Sequence, residues 1–261
     1  MVMLCDSIKE KELDNLKFSN VKANIKYDGE RILAVKKDGE VMLVNRRGRN
    51  KTQNYLEVVK VLEKVGNDFI LDGEMITFDD NFDKLQKRAL TKDRFKQERL
   101  REVLPVKYAV FDILKLDQKD LKFLPLKERL KFIEMLELNS KNIEIAEYLP
   151  VRVMLATAYA EQREGIVIKN MESIYEERRS KNWLKCKFFK ETTLVVKTYT
   201  TNNAGIRCED SEGNAVQVSG SQHLAVKQLI DEQGEAEIEI QYLDKTKNGR
   251  LRFPSFRSLA K

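Results

Sequence analysis

A lysine beside an Asp-Gly pair is the first residue of this chain whose setting suggests chemistry. Lys26 lies in the sequence Asn24-Ile25-Lys26-Tyr27-Asp28-Gly29-Glu30-Arg31, at the expected end of a short strand. A lysine amine is a nucleophile when it has lost its proton and is held in place. The pattern alone is weak, because lysines before such turns are common and most of them are solvated. Other residues must therefore decide whether Lys26 reacts.

A pair of lysines near residue 186 indicates an anion-binding strand. Lys185 and Lys187 alternate with Leu184, Cys186 and Phe188, so the two-residue period of a strand places both lysines on one face and the apolar residues in the core. Two ammonium groups about 7 Å apart repel each other unless an anion such as a phosphate lies between them. The alternative is an edge strand whose exposed lysines prevent aggregation.

Two acidic residues interrupt apolar strands. Glu74 follows Ile70-Leu71-Asp72-Gly73, and Glu164 precedes Gly165-Ile166-Val167-Ile168. A carboxylate in such a position requires a cationic partner or a metal ion, because burying it alone is costly. Either residue taken singly also fits an ordinary salt bridge at a strand end.

The elements that would position these residues fall into two parts. Strand patterns cover 31–46 (a hairpin around Asp38-Gly39), the segment from Phe69, 107–114, 165–169 and 183–189, and helical patterns cover 55–65, 83–104 and 125–136. After about residue 190, short strands rich in Val, Thr and Ile surround one helical segment at 221–233, which is typical of a small barrel such as an OB-fold. The sequence therefore predicts an α+β protein with domains 1–189 and 190–261.

Composition narrows the class of protein. A hydrophobic fraction of 42% is that of a globular chain, and no apolar run is long enough to cross a bilayer. Three cysteines and one histidine make a disulfide framework and a zinc site improbable. No secretory signal is visible at the N-terminus, so we expect a cytoplasmic monomer without membrane association.

Charge is distributed unevenly along the chain. The net charge is +6, yet residues 191–261 contain nine lysines and arginines against ten acidic residues. The excess lies in the first 190 residues and in a terminal cluster formed by Lys245, Lys247, Arg250, Arg252, Arg257 and Lys261. A polyanionic partner would explain this distribution, and ordinary surface solubility is the alternative.

The ordered set of motifs resembles the covalent nucleotidyltransferases, the family of ATP-dependent DNA ligases, RNA ligases and mRNA capping enzymes. The motifs that carry the resemblance are Lys26-Tyr27-Asp28-Gly29-Glu30-Arg31, Asn45-Arg46-Arg47-Gly48, Asp72-Gly73-Glu74, Val110-Phe111-Asp112, Glu164-Gly165-Ile166-Val167-Ile168-Lys169, Leu184-Lys185-Cys186-Lys187 and Leu251-Arg252-Phe253-Pro254-Ser255-Phe256. Two further stretches, Phe82-Asp83-Lys84-Leu85-Gln86-Lys87-Arg88 and Leu124-Pro125-Leu126-Lys127-Glu128-Arg129, are similar to those of DNA ligases in particular, although they also read as ordinary helix starts.

The resemblance implies a fold and a reaction. The fold would be a nucleotidyltransferase domain, with ATP-grasp-like antiparallel sheets and helices, followed by an OB-fold barrel. The reaction would seal 3′-hydroxyl/5′-phosphate nicks in duplex DNA: Lys26 takes AMP from ATP, AMP passes to the 5′-phosphate, and the 3′-hydroxyl displaces it. Lys185, Lys187 and a divalent metal, Mg²⁺ or Mn²⁺, would favour the neutral amine and stabilise charge on the phosphates.

The resemblance also implies a role for each matched residue. The adenosine of ATP would be bound by Asn24, Ile25, Arg31, Glu74, Phe111 and Val167, with Arg31 and Glu74 on the ribose and Phe111 stacked on adenine. Lys185 and Lys187 would contact the nucleotide as well as catalyse. Glu164 and Glu74 would bind the metal, Arg46 and Arg47 the nicked DNA, and Arg252 the leaving pyrophosphate.

The chain departs from the family pattern in two places. Many DNA ligases have a glutamate where this chain has Asn24, although an asparagine can also hydrogen-bond adenine. The C-terminal element lacks the common Arg-x-Asp-Lys ending, so no role is assigned to Arg257 or Lys261. The alternatives are an RNA ligase, a capping-type nucleotidyltransferase, and an inactive nucleic-acid-binding protein. NAD is not expected as the AMP donor, because only 25 residues precede Lys26.

Overall fold

The computed structural model describes residues 2–246 and 248–260. Lys247 and Lys261, two members of the predicted basic cluster, lie outside the described residues. The chain forms two compact units, Met1–Cys186 and Lys187–Lys261. The predicted division after residue 189 lies three residues beyond this one. No helix among the described residues has the length and apolar character needed to span a membrane.

The described residues of the first unit form two sheets and five α-helices. The larger sheet has the strand order β4-β3-β5-β6-β7, with β8 paired to β6, and the smaller has the order β1-β10-β9-β2. Its strands are β1 (Leu4–Ser7), β2 (Val21–Ile25), β3 (Glu30–Lys37), β4 (Glu40–Asn45), β5 (Phe69–Thr77), β6 (Val106–Leu116), β7 (Lys119–Asp120), β8 (Ile143–Ile145), β9 (Gly165–Asn170) and β10 (Arg179–Lys187). Its helices are α1 (Leu56–Leu62), α2 (Phe82–Leu90), α3 (Arg94–Val103), α4 (Leu126–Glu134) and α5 (Val151–Ala160), with 3₁₀ turns at Glu10–Asn15 and Thr52–Tyr55.

The β3–β4 hairpin is formed as the sequence predicts. Asp38 and Gly39 both have positive φ, 51° and 85°, which a tight two-residue hairpin turn requires. Alternate residues of the two strands, among them Ile32 and Leu43, are fully buried in the core of the larger sheet. The buried face of this hairpin therefore fixes the register of the strand that begins four residues after Lys26.

The described residues of the second unit form a five-stranded antiparallel sheet with one helix. The strand order is β13-β12-β11-β14-β17, and the remaining two short strands pair with each other. The elements are β11 (Lys190–Asn202), β12 (Gly205–Asp210), β13 (Ala215–Val218), α6 (Gln222–Gln233), β14 (Ala236–Tyr242), β15 (Asp244–Lys245), β16 (Leu251–Arg252) and β17 (Ser255–Leu259). The outer strands β13 and β17 also contact each other. Val226 and Ile230 of α6 complete a separate core within this unit.

The alternation predicted around β10 holds only for Cys186, because Leu184 and Phe188, which were also predicted to enter the core, are only partly buried. Trp183, on the face assigned to the lysines, is fully buried, whereas Leu184 is only partly buried. The parallel pairing of β1 with β10 shifts register between Cys5 and Asp6, and this irregularity interrupts the strict two-residue period. Trp183 consequently packs in a cluster with Met3, Phe111 and Tyr175.

Candidate functional site

Lys26 follows the last residue of β2 and lies against the first residues of β9. These strands pair antiparallel, with Ile25 opposite Ile166, and the Lys26 N–H donates to the Gly165 carbonyl at 2.9 Å. The Lys26 Nζ lies 2.5 Å from Glu164 Oε2, and both side chains are largely buried. Strand pairing therefore brings together two predicted site residues that are 138 positions apart.

Glu74 belongs to the same group of charges. It lies in β5 opposite Arg31 of β3. Burial raises the pKa of Glu74 to about 8, and the nearby charges of Lys26 and Arg31 oppose this rise. Gly29 allows this approach, since a β-carbon there would lie 2.2 Å from the Met75 carbonyl oxygen and 2.8 Å from Glu74 Cγ.

Arg31 is bound to a neighbouring carboxylate. Its Nε and Nη2 donate to Asp72 at 2.9 and 2.5 Å, and its Nη1 donates to the Met3 carbonyl at 2.7 Å. The Tyr175 hydroxyl donates to the same carboxylate at 2.6 Å. The guanidinium carbon lies 5.2 Å from the centre of the Phe111 ring. Arg31 therefore contacts both Asp72 of β5 and the ring that is predicted to stack on adenine.

Phe111 is held by a second buried network. Its carbonyl accepts a hydrogen bond of 2.6 Å from the Tyr148 hydroxyl, which in turn accepts one of 2.7 Å from Lys169 Nζ. The Lys169 Nζ lies 3.9 Å from the centre of the Trp183 ring and 4.4 Å from that of Phe111. Burial lowers the pKa of Lys169 to about 7.

Lys169 was not among the predicted site residues. The alternation of β9 would have suggested it, because Lys169 lies within the apolar motif that begins at Glu164. Ile25 and Val167, which were predicted, are partly buried on the paired strands β2 and β9, where Val167 lies opposite Asn24.

Asn24 has an unsatisfied buried acceptor. The side chain is 2% exposed, and its Nδ2 donates to the Ile25 carbonyl at 2.7 Å. Its Oδ1 has no hydrogen-bond partner among the described residues. Since buried polar atoms are almost always paired, this oxygen is suited to accept a hydrogen bond from a ligand.

The two stretches that resemble DNA ligases each supply a buried arginine. Arg129 of α4 forms two hydrogen bonds with Asp112, and both side chains are completely buried. Arg88 of α2 binds Glu57 and the carbonyls of Asn54 and Leu104. Each stretch therefore contributes a buried ion pair to the core of the first unit. Interpreting the two stretches as ordinary helix starts did not predict this role.

The remaining predicted cations lie in three places. Arg46 and Arg47 are exposed in the turn after β4. Lys185 lies in β10, opposite Ser7 of β1. Lys187 begins the second unit, where its Nζ lies 5.4 Å from the centre of the Phe253 ring, and the Arg252 guanidinium carbon lies 5.8 Å from the same ring.

The carboxylates of the site are few. Among the described residues, no group of three or more His, Cys, Asp or Glu side chains is arranged to hold a metal ion. Of the two predicted metal ligands, Glu164 lies 2.5 Å from Lys26 Nζ, and Glu74 is close enough for the charge of Lys26 to oppose the rise in pKa that burial causes.

Comparison with known proteins gives both sequence relatives and structural neighbours. A DNA ligase-like protein, LigB, from the SPbeta prophage of Bacillus subtilis is 27% identical over 276 residues, covering 98% of this chain and 97% of that protein. A DNA ligase of Methanosphaera stadtmanae is 31% identical over 199 residues, covering 70% of this chain but only 35% of that protein.

Two solved structures share the fold over nearly the whole chain. One is the structure of a Lig E DNA ligase, described as binding DNA with a minimal scaffold. Its TM-score is 0.71 and its sequence identity is 16%, with complete coverage of both chains. The other is the ligase domain of LigD from M. tuberculosis, with a TM-score of 0.63 and 23% identity, covering 99% of this chain and 94% of that one. At these identities the likeness concerns the fold, which is of the α+β nucleotidyltransferase type.

The family match covers the unit that contains Lys26. A family model described as the ATP dependent DNA ligase domain matches residues 2–187, which is most of the chain. The chain therefore belongs to the family of ATP-dependent DNA ligases, enzymes that seal nicks in duplex DNA through a lysyl-AMP intermediate.

Proposed function

We propose that this chain acts as a monomer that seals nicks in duplex DNA, with Lys26 as the residue that carries AMP. The observation that carries this assignment is the contact of 2.5 Å between Lys26 Nζ and Glu164, at the junction of β2 and β9. Asn24, whose Oδ1 has no partner among the described residues, lies on β2, and Glu74 lies on β5 of the larger sheet, where the charge of Lys26 opposes the rise in its pKa that burial causes. These positions support Lys26 as the nucleophile, with Glu164, Glu74 and Asn24 as the residues that assist it.

In the first step the Lys26 amine attacks the α-phosphorus of ATP. A bond forms between Nζ and phosphorus, the bond to the bridging oxygen breaks, and pyrophosphate leaves. The amine must first lose a proton, and Glu164 Oε2, at 2.5 Å, is within reach to accept it. The same contact directs the Lys26 side chain before ATP arrives.

The donor set near Lys26 fits a Mg²⁺ ion that is held partly by the nucleotide. Mg²⁺ in nucleotide enzymes is commonly bound through one or two carboxylates together with substrate phosphates, and Glu164 and Glu74 would supply those carboxylates. Bound there, the ion would neutralise negative charge on the phosphates.

Adenosine would lie against the paired strands β2 and β9. The Asn24 Oδ1 would accept a hydrogen bond from the 6-amino group of adenine, and this group would be the partner that the buried oxygen lacks among the described residues. Ile25 and Val167 would contact the base edges and Phe111 its face. For the ribose we retain Arg31 and Glu74, which lie opposite each other across β3 and β5.

We assign the second unit to an OB-fold domain. Five antiparallel strands with one helix, and contact between the outer strands β13 and β17, support a closed barrel. Lys187 and Arg252 share the Phe253 ring in this unit, and we propose that Lys185, Lys187 and Arg252 act on the phosphates of ATP.

Mass spectrometry of the protein after incubation with ATP and Mg²⁺ tests the central assignment. One AMP should be added to the wild type, with the site mapped to Lys26, and none to Lys26→Ala. Lys22→Ala is a matched control, because Lys22 is an exposed lysine of β2, the strand that Lys26 directly follows, and this variant should take up AMP normally. An adduct on another lysine would overturn the assignment.

The adenylylated protein then tests the substrate. Mixed with a nicked DNA duplex, it should join the 3′-hydroxyl and 5′-phosphate strands and release AMP. Parallel duplexes with RNA on either side of the nick separate a DNA ligase from an RNA ligase. Faster sealing of the all-RNA nick would contradict the DNA assignment without affecting that of Lys26.

A further inference from the structure

The turn after β4 is closed by one asparagine side chain. Asn45 Oδ1 accepts hydrogen bonds from the backbone N–H groups of Arg47 and Arg49, each at 3.0 Å. The Asn45 N–H also donates to the Arg49 carbonyl at 3.0 Å, and Gly48, with φ of 75°, supplies the left-handed conformation. The side chain of Asn45 therefore determines the path of the whole turn.

Three arginines project from this short turn. Arg46, Arg47 and Arg49 are all exposed, and none of them forms an ion pair with a carboxylate in the part of the chain that the structure describes. Three guanidinium groups held within four positions repel one another. The arrangement is stabilised when a polyanion, such as a nucleic acid backbone, lies against it.

The turn is anchored to the motif that contains Lys26. The Nδ2 of Asn45 donates to Glu30 Oε1 at 2.8 Å, and Glu30 lies four residues after Lys26. Glu30 is itself fixed by the hydroxyl of the fully buried Tyr55 at 2.7 Å and by Lys51 Nζ at 3.3 Å. One carboxylate thereby connects the start of β3 to the arginine turn at the end of β4.

We propose that Glu30 and Asn45 are positioning residues for DNA binding, and that Arg49 joins Arg46 and Arg47 in contacting backbone phosphates of the nicked duplex. This inference rests on the proposed function. It adds a third phosphate-binding arginine, and it gives Glu30 a role that consists of holding the turn rather than of chemistry at the nucleotide.

Salt dependence separates phosphate contacts from general damage to the protein. For duplex DNA, each neutralised phosphate contributes about 0.9 to the slope of log affinity against log salt concentration. Arg49→Ala should therefore reduce the slope by about 1. Asn45→Ala removes no charge, yet it should reduce the slope by about 2, because the uncapped turn no longer holds its arginines together.

Glu30 gives the sharpest comparison. Glu30→Ala removes a negative charge, which by simple electrostatics would strengthen DNA binding. If Glu30 positions the turn, the variant should instead bind at least fivefold more weakly at about 0.1 M salt, with a reduced slope. Glu30→Gln keeps an oxygen to accept from Asn45 and should bind within about twofold of the wild type.

The experiment measures binding of adenylylated protein to a fluorescent nicked duplex across a salt series, without Mg²⁺. The double variant Lys60→Ala/Lys64→Ala is the matched control, because it removes two exposed charges elsewhere in the first unit and should keep the wild-type slope. Circular dichroism before each titration verifies folding. Arg49→Ala changes only an exposed side chain, so it tests whether Arg49 contacts phosphate even when another variant unfolds.

Each result bears on one part of the proposal. A wild-type slope for Arg49→Ala would remove Arg49 from the interface. Wild-type slopes for folded Asn45→Ala and Glu30→Ala would overturn their positioning role. Failure of the wild-type protein to seal nicks would count against the proposed function, and it is measured separately from these binding slopes.

Discussion

Arg129 and Asp112 form an ion pair in which neither side chain has any exposed surface. The Arg129 Nε and Nη2 donate to the two oxygens of Asp112 at 2.8 and 2.7 Å, and its Nη1 donates to the Leu124 carbonyl at 2.6 Å. Because Asp112 directly follows Phe111, the pair fixes the segment of β6 that carries the proposed adenine-stacking ring.

We expect Arg129→Leu to destabilise the protein by about 3 to 5 kcal/mol, because it leaves Asp112 buried without a partner. The free energy of unfolding in urea measures the loss. Arg178→Leu is the control, since the Arg178 side chain is 77% exposed and its pair with Glu176 should contribute less than about 1 kcal/mol. Adding Asp112→Leu to Arg129→Leu should recover part of the loss. Equal effects of the two single arginine changes would contradict the argument.

The stability of the protein should depend on the protonation of Lys169. Its folded pKa of about 7 is below the value of 10.5 for a free lysine, so between these values the unfolded state binds the extra proton. Stability then rises with pH, and the wild type should gain about 2 kcal/mol relative to Lys169→Met between pH 7 and pH 9.

Urea unfolding at several pH values measures the free energy of unfolding of the wild type and of Lys169→Met. The contributions of the other titrating groups cancel in the difference between the two proteins. The control is Lys22→Met, because Lys22 lies opposite Lys169 in the β2–β9 pair but is exposed. Its difference from the wild type should stay constant with pH. A constant difference for Lys169→Met would show that Lys169 keeps its proton when buried.

Asn24 should determine the preference for adenine. Its unpaired Oδ1 can accept from the 6-amino group of ATP but finds no donor on the 6-oxo group of inosine triphosphate. Loss of one such hydrogen bond is worth about 0.5 to 1.5 kcal/mol, so Asn24→Ala should reduce the ATP preference by about tenfold or less. Rates of nucleotidyl transfer to Lys26 from the two nucleotides measure this ratio. Asn24→Asp retains an acceptor and should stay closer to the wild type, whereas an unchanged ratio in Asn24→Ala would exclude the contact.

Arg252 should matter more for loading AMP than for the final sealing step. The Arg252 guanidinium and the Lys187 Nζ both lie beside the ring of Phe253, and the chain around Arg252 is rich in cations. Such a cluster suits pyrophosphate, which is a leaving group only when AMP is loaded. Arg252→Ala should slow self-adenylylation at least tenfold, while a nick that already carries AMP at its 5′ end is sealed with a much smaller loss. Arg257→Ala is the control, because Arg257 in the same unit lies 3.9 Å from Glu191. Normal loading with a defect on DNA alone would make Arg252 a DNA contact.

The local features of the chain follow from the sequence alone. The Asp38-Gly39 turn, the apolar alternation of the strands beside it and the helical spacing in 125–136 all act over a few neighbouring residues, and the structure forms each of them. The order of the motifs was likewise sufficient to identify the family, because seven short patterns in sequence are specific without any knowledge of their contacts.

The partners of the charged residues were decided only by tertiary structure. The sequence predicted Lys26 and Glu164 as site residues, but the pairing of β2 with β9 brings them within 2.5 Å. It gave no sign that Arg129 would be buried against Asp112, or that Trp183 would replace Leu184 in the core. Periodicity reports which face a residue occupies, whereas burial and ion pairing depend on which distant strand or helix covers that face. The register shift of three residues between Cys5 and Asp6, an odd number, is enough to exchange the buried and exposed faces of β10.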